Sequence, residues 1–356
     1  MKKLELVDSL LFELVSKKGR LVYIGAMGFE DRTFGFLKQV VLAGLRGSVV
    51  AIRYARAKAK NREREFQELV RSSNALTFTS IAYSTDYAHR FEIDLDRQLR
   101  RIGLCAADTV VLDVSALSKF LILVCLLRLW NAGVAVRVVM TTAVSYSPSK
   151  SAFDLTMGQQ GESVRVIAGQ PSVGASAILR SSCLVSARMQ GQPVCAVAFT
   201  SFNEELIRHA VGTLNPHRLI LLNGRPPLAE NLWRAHATQA IHSRLIEENS
   251  QDNPIDSDTG LLKRTLSTLS YEDTVRMLTQ LHNEYGLYER MIYFATGSKM
   301  QTVALALHKH HHQDVHVEYP TPDSYFFEEY SSGVDLSYFV TLDPRPEARP
   351  SVATDI

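Results

Sequence analysis

Residues 109–127, TVVLDVSALSKFLILVCLL, and residues 290–307, RMIYFATGSKMQTVALAL, read as one unit met twice. Each is an apolar strand, a short polar turn ending in Ser-Lys, and an apolar helix. The strands are continuous apolar runs rather than alternations, which is how a strand covered on both faces of a parallel sheet reads. Ser118-Lys119 falls on Ser298-Lys299, and each pair leads into a helix, a short loop and a Val-rich strand. A second matched pair precedes the first in the same order. LVYIGAMGFEDRTFGFLKQVV (21–41) lies on VCAVAFTSFNEELIRHAVGTL (194–214), with Phe29-Glu30-Asp31 over Phe202-Asn203-Glu204. Two matches in one order make the chain an internal repeat.

Outward from these segments, strands and helical patterns alternate. The first copy reads as a strand at 20–25, a helix at 32–43, a strand at 48–54, helices at 57–72 and 91–102, a strand at 109–114, a helix at 119–131 and a strand at 134–141. The second reads as a strand at 194–199, a helix at 203–213, a strand at 218–222, a long helix at 227–248, and a helix at 271–285. A strand at 290–295, a helix at 299–308 and a strand at 315–319 complete it, ended by Pro320 and Pro322. Such alternation implies an α/β fold of two tandem Rossmann-like parallel-sheet domains related by the repeat. The expected boundaries are an N-terminal helix within 1–18, a first domain over 19–146 and a second over 193–343. Residues 147–192, with scattered Ser, Gly, Gln and Pro and a weak strand at 163–167, form a β-rich or irregular connector. A Pro-rich tail runs from 344 to 356.

Composition narrows the class. The 356 residues are 46% hydrophobic and 21% charged, with a formal net charge of +2, which excludes disorder, collagen-like repeats and any global nucleic-acid signal. Cys105, Cys125, Cys183 and Cys195 show no CxxC spacing and read as reduced thiols in a cytoplasmic protein. The first twenty residues are broken by acids and do not resemble a signal peptide. The apolar run 120–127 is far short of the roughly 20 residues that span a bilayer, so no membrane association is expected. Its burial on most sides is read as burial against its own sheet.

Candidate chemistry gathers at strand ends, where open parallel sheets bind ligands. In Ala295-Thr-Gly-Ser-Lys-Met300 a glycine would let backbone approach a phosphate, helix amides would donate, and Lys299 would add a point charge. Thr296 and Ser298 would cap the helix and hydrogen-bond an anion at the same time. It is not a P-loop. The loop after the first strand carries Glu30, Asp31 and Arg32. There Arg32 would grip phosphate while Glu30 or Asp31 orients a ribose hydroxyl or serves as a base. Arg53, Arg56, Lys58, Lys60, Arg62 and Arg64 form a basic run, read as a solvated helix face with a nucleic-acid patch as the alternative. His308, His310, His311, His312 and His316 have no acid or Cys at a recognisable zinc spacing, so no metal is expected; His308 and His312, at i and i+4, are the pair to test. Asp252, Asp256 and Asp258 lack calcium-loop spacing. Asp94 and Asp96 sit on an amphipathic helix facing water. No nucleophile elbow or complete catalytic constellation is present, and no cofactor is called for.

The strand–Thr296-Gly-Ser-Lys299–helix arrangement resembles the ligand loop of CARF domains, the sensors of CRISPR-linked immunity. The tandem units are similar to the SAVED sensors of anti-phage systems. In those families such loops hold cyclic oligonucleotide second messengers across a dimer or pseudo-dimer interface. The resemblance implies that Thr296, Gly297, Ser298 and Lys299 are ligand contacts, with Asp113, Ser115, Ser118 and Lys119 in the matching loop. Ala295 stands where the family often has glycine, and the first copy, Asp113-Val-Ser-Ala-Leu-Ser-Lys119, has none. The implied function is a nucleotide-binding sensor or regulatory subunit of antiviral defence, as a homo-oligomer or with a partner subunit. Two other readings stand beside it. One is a nucleotide- or nucleoside-processing enzyme, a glycosidic-bond hydrolase or transferase using Glu30 or Asp31 beside Arg32 and Asp113. The other is a non-catalytic interaction subunit of a larger complex.

Overall fold

A computed structural model describes residues 3–16, 19–56, 61–105, 107–160, 167, 169–326 and 330–343. Lys58 and Lys60 of the basic run, most of the strand expected at 163–167 and the tail from 344 lie outside them.

The chain opens with β1 (Glu5–Leu6) and α1 (Val7–Ser16). There follow β2 (Leu21–Ala26), α2 (Gly35–Leu42), β3 (Gly47–Tyr54), α3 (Glu63–Arg71), β4 (Leu76–Tyr83), α4 (Ala88–Arg101), β5 (Thr109–Asp113), α5 (Lys119–Asn131) and β6 (Val136–Thr141). A link of β7 (Ser145–Tyr146), α6 (Lys150–Gln160), β8 (Ser172–Val173) and β9 (Ala177–Leu179) leads to the second half. That half comprises β10 (Val194–Phe199), α7 (Glu204–Leu214), β11 (Arg218–Arg225), α8 (Trp233–Ile241), α9 (Ser243–Glu248), β12 (Thr265–Ser267), α10 (Tyr271–Tyr285), β13 (Arg290–Phe294), α11 (Lys299–His311) and β14 (His316–Thr321). The described chain ends with β15 (Ser324–Tyr325), β16 (Ser331–Ser332) and β17 (Ser337–Leu342).

Two large sheets result, in the order β1-β17-β6-β5-β2-β3-β4 and β12-β11-β10-β13-β14-β9. Five parallel strands, β4-β3-β2-β5-β6 and β12-β11-β10-β13-β14, occupy matching places, as the repeat predicts. Helices cover both faces, so β2, β5 and β13 are buried almost throughout, which is why their sequences do not alternate.

The halves exchange their last strands. After β6 the chain crosses and adds β9 antiparallel to β14 of the second sheet, pairing Ala177 with Thr321. After β14 it crosses back and adds β17 antiparallel to β6, pairing Ser337 with Thr141. Two small ladders repeat the exchange, β7 with β16 and β8 with β15. The side chains follow suit, with Thr141 Oγ1 2.7 Å from Ser337 Oγ and Thr321 Oγ1 3.0 Å from Ser176 Oγ. Both crossings turn on a Ser-x-Gly with a left-handed glycine, Gly174 at φ +70° and Gly333 at φ +72°. The two halves are thus related by an approximate two-fold axis within one chain.

This corrects several expectations. The second domain does not run to 343 as a unit, because β17 belongs to the first sheet. The connector has the β-structure expected of it, in β8 and β9, but it also holds a helix not expected there, α6, whose Phe153 stacks on Trp233 of α8 at 5.4 Å. Arg234 ties it down, donating to the carbonyls of Tyr146, Ser147 and Pro148. The long helix expected at 227–248 is two, broken at buried His242, whose ring Nε2 accepts from the Ser201 amide at 3.2 Å. Pro320 lies inside β14, where it pairs with Ile178 across an antiparallel edge. Finally, α5 is buried against α11 of the other half as well as its own sheet, so one apolar core runs through both. No helix among the described residues is long and apolar enough to cross a membrane.

Candidate functional site

The approximate axis passes between the loops after β5 and β13, where α5 and α11 begin side by side. Ser118 starts α5, its Oγ accepting from the Leu121 amide at 3.4 Å. The Ser118 amide donates to the Tyr54 hydroxyl at 2.7 Å, and that hydroxyl donates to Ala116 O at 3.0 Å. Ser298 starts α11 with a reciprocal cap: its Oγ accepts from the Gln301 amide at 3.1 Å and the Gln301 side chain accepts from the Ser298 amide at 2.7 Å.

The two lysines cross the axis. Lys119 Nζ donates to Thr296 O of the second loop at 3.1 Å, and Lys299 Nζ donates to Leu117 O of the first at 2.6 Å. Burial pushes the Lys119 amine down to about 8. Lys299 falls to about 7, chiefly through burial and then through the positive fields of Arg32 and Lys119, which Glu30 and Asp113 oppose. Lys299 thereby shares one electrostatic neighbourhood with Lys119, 180 positions earlier, and with Glu30 and Arg32 of the first loop.

The remaining residues of the two turns are turned inward. Thr296 Oγ1 donates to Phe199 O at 2.7 Å and accepts from the Phe199 amide at 3.0 Å, which fastens the loop to β10. Ser298 Oγ also donates to Thr268 O at 2.6 Å. Gly297 is required by packing, since a Cβ there would sit 2.5 Å from Gln301 Oε1 and 2.8 Å from Phe199 Cγ. Asp113 is buried and accepts from the Tyr23 hydroxyl and the Ser115 amide, each at 2.9 Å; burial raises its carboxyl above the usual range against the pull of these donors and of Arg32. Ser115 Oγ accepts from the Thr141 amide at 2.8 Å.

In the first loop, Glu30 and Arg32 are both buried and form an ion pair at 2.6 Å, with the Ser331 hydroxyl donating to Glu30 at 2.5 Å and Arg32 lying 5.5 Å over the Tyr146 ring. Asp31 is exposed, paired with Arg62 at 2.9 Å and accepting from the Gly333 amide at 3.1 Å. The trio therefore grips the crossing strand segment. The arrangement has a counterpart across the axis: Asn203 Nδ2 donates to Gly174 O at 3.0 Å and the Gly174 amide donates to Glu205 at 2.6 Å.

Aromatic residues that sequence reasoning passed over surround these charges. Tyr54, Tyr146, Tyr325 and Tyr330 share one field with Glu30, and Tyr319 lies 3.3 Å from Tyr325, hydroxyl to hydroxyl. The signal was present as a repeated Ser-Tyr pair, Ser145-Tyr146 and Ser324-Tyr325, on the equivalent strands β7 and β15. Away from the axis, the described arginines of the basic run are each paired: Arg53 with Glu63, Arg56 with Asp86, Arg62 with Asp31 and Glu65, and Arg64 with Glu68. Asp94 and Asp96 pair with Arg97 and Arg128, and Asp252 with Arg218.

No family model and no curated protein matches the chain. Among solved structures, the cytoplasmic domain of a prokaryotic cation chloride cotransporter aligns over 88% of this chain and 99% of its own, at 8% identity and a TM-score of 0.25. A protein assigned to the universal stress proteins, from Pseudomonas aeruginosa UCBPP-PA14, aligns over 86% and 94%, at 10% identity and a TM-score of 0.23.

Proposed function

We propose that the chain is a nucleotide-binding sensor or regulatory subunit whose anionic ligand lies on the approximate two-fold axis. The observation that carries this is the pair Lys119 and Lys299: two amines with depressed pKa, one from each half, reaching across the same axis, with Arg32 in the field of Lys299. A cyclic oligonucleotide, with repeated phosphates and stackable bases, matches that symmetry and chemistry. The likeness of Thr296–Lys299 to CARF and SAVED loops supports the same ligand class and a role in prokaryotic antiviral defence. Catalysis by Glu30 or Asp31 is the weaker reading, because each carboxylate is already held by an arginine. A non-catalytic interaction subunit is favoured by one fact: Thr296, Ser298 and both lysines have partners within the protein.

An anion beside the ammonium groups favours their charged forms, so binding takes up protons and affinity is highest below about pH 7, falling as pH rises through 7 to 8 and beyond. Thermal shift and calorimetry with mononucleotides and cyclic di-, tri- and tetranucleotides test this. At a hundredfold excess over Kd a ligand adds about 2.7 kcal/mol of stability. The expected result is a shift with one cyclic class, lost in Lys119→Ala and Lys299→Ala, with the ligand recovered intact by mass spectrometry. Conversion of the ligand would make the chain an enzyme, and no binding by any of them would leave the interaction subunit.

A further inference from the structure

Far from the axis, at the other end of α11, the fold assembles a group that no local spacing shows. His282 from the last turn of α10, His312 at the end of α11 and Asp314 from the turn before β14 bring one ligand atom each to within 4.8 Å of one another. His282 Nε2 lies 2.8 Å from Asp314 Oδ2, and the His282 and His312 rings are 4.1 Å apart. Each of the three keeps some exposure, so an ion has a way in.

A second observation is independent of this cluster. His308, 1% exposed, lies against it with ring centroids 4.5 Å from His312 and 5.6 Å from His282, and neither of its nitrogens has a hydrogen-bond partner. Buried polar groups are almost always satisfied, and a neutral imidazole has one nitrogen with a lone pair and one N–H, so the bare lone-pair nitrogen of this buried ring calls for an electron-pair acceptor. Lys309 does not serve, since its Nζ is held by the carbonyls of Gln313 and Val315. We propose that His282, His308, His312 and Asp314 form a divalent transition-metal site of the zinc class.

Three imidazoles and one carboxylate are a standard zinc donor set, and bonds of about 2.0–2.1 Å place tetrahedral ligand atoms roughly 3.3 Å apart. The ligand atoms of His282, His312 and Asp314, already within 4.8 Å of one another, would draw in to reach that, and the His308 ring, 4.5 Å from that of His312, would turn in as the fourth ligand. The first half fills the matching place differently. Arg128, nine residues after Lys119 as His308 is after Lys299, pairs with Asp96 of α4. That ion pair joins α4 to α5, and the metal would join α10 to α11 in the same position.

The test is Co²⁺ and Zn²⁺ titration of the full chain, produced without a histidine tag and dialysed against chelator. One equivalent of Co²⁺ giving the visible bands of a tetrahedral N/O site, displaced by Zn²⁺, and a rise in Tm with zinc are expected. His282→Ala and Asp314→Asn should weaken binding beyond the about 10–100-fold typical of losing an outer partner, while His310→Asn with His311→Asn, in the same histidine run, leaves it intact. Circular dichroism shows whether each variant is folded, and His312→Asn replaces any that is not. Absence of stoichiometric binding, or binding lost in the His310/His311 variant and kept in Asp314→Asn, would overturn the proposal.

Discussion

The loops after β5 and β13 hold the same positions in the two halves, yet they are fastened by different chemistry. The first is anchored by a buried carboxylate, Asp113, which collects the Tyr23 hydroxyl and the Ser115 amide. The second is anchored by a hydroxyl, Thr296, bonded twice to the backbone of Phe199. What both retain is a serine cap followed by a lysine that crosses the axis, and a β-strand exchange that closes each sheet with the other's chain. The difference teaches that the interior of a loop can be rebuilt freely as long as its donors are satisfied, whereas a contact shared between halves constrains both at once.

The exchange gives the largest expected effect. A chain cut in the exposed turn at 187–192 leaves residues 1–186 carrying β9 without β17, and residues 187–356 the reverse. Neither fragment alone should unfold cooperatively, and co-expressed they should form a stable heterodimer, as read by circular dichroism and size exclusion. Cooperative melting of either fragment as a monomer would show that the halves do not need each other.

Next come the crossing glycines. Alanine at Gly174 or Gly333 must adopt a left-handed backbone, at about 1–2 kcal/mol each. A Cβ at Gly333 would also meet Val144 Cγ2 at 2.9 Å, and one at Gly174 would meet Asp323 Cγ at 2.8 Å and Cβ at 2.9 Å. Chemical denaturation should therefore show both Gly174→Ala and Gly333→Ala as clearly destabilised, and a loss confined to one of them would mean that the crossings are not equivalent.

The smallest effect concerns the lysines. Each folded pKa lies below the unfolded value of about 10.4, so the folded protein binds fewer protons than the unfolded one and stability rises with pH from about 7 towards 10.4. Removing the amine in Lys299→Met should raise Tm relative to wild type more at pH 6 than at pH 9, with a weaker trend for Lys119→Met. An equal effect at both pH values would show that these amines are not held near neutrality.

Much of the architecture was legible because buried parallel strands and their crossover helices leave a local apolar signature. The strand β4 was missed although Leu76–Tyr83 alternates, as an edge strand with one wet face does. The repeat was legible in the Ser-Lys pairs but not in Ser145-Tyr146 and Ser324-Tyr325, which sit on two-residue strands too short to announce themselves. Of the candidate site, the position of the lysines and the charged trio at strand ends was legible, but their partners were not. Glu30 and Arg32 satisfy each other, and Gly297 makes room for Phe199 rather than for a phosphate.

The sequence by itself determined the α/β class, the duplication and the residues at each strand end, since periodicity, strand composition and capping are local properties. Only the tertiary structure decided which half owns β9 and β17, that Lys119 and Lys299 meet, and that His282 and Asp314 stand beside His308 and His312. Those are contacts between segments tens to hundreds of residues apart, fixed by how two sheets pack about an axis, and nothing in the spacing of neighbouring residues encodes them.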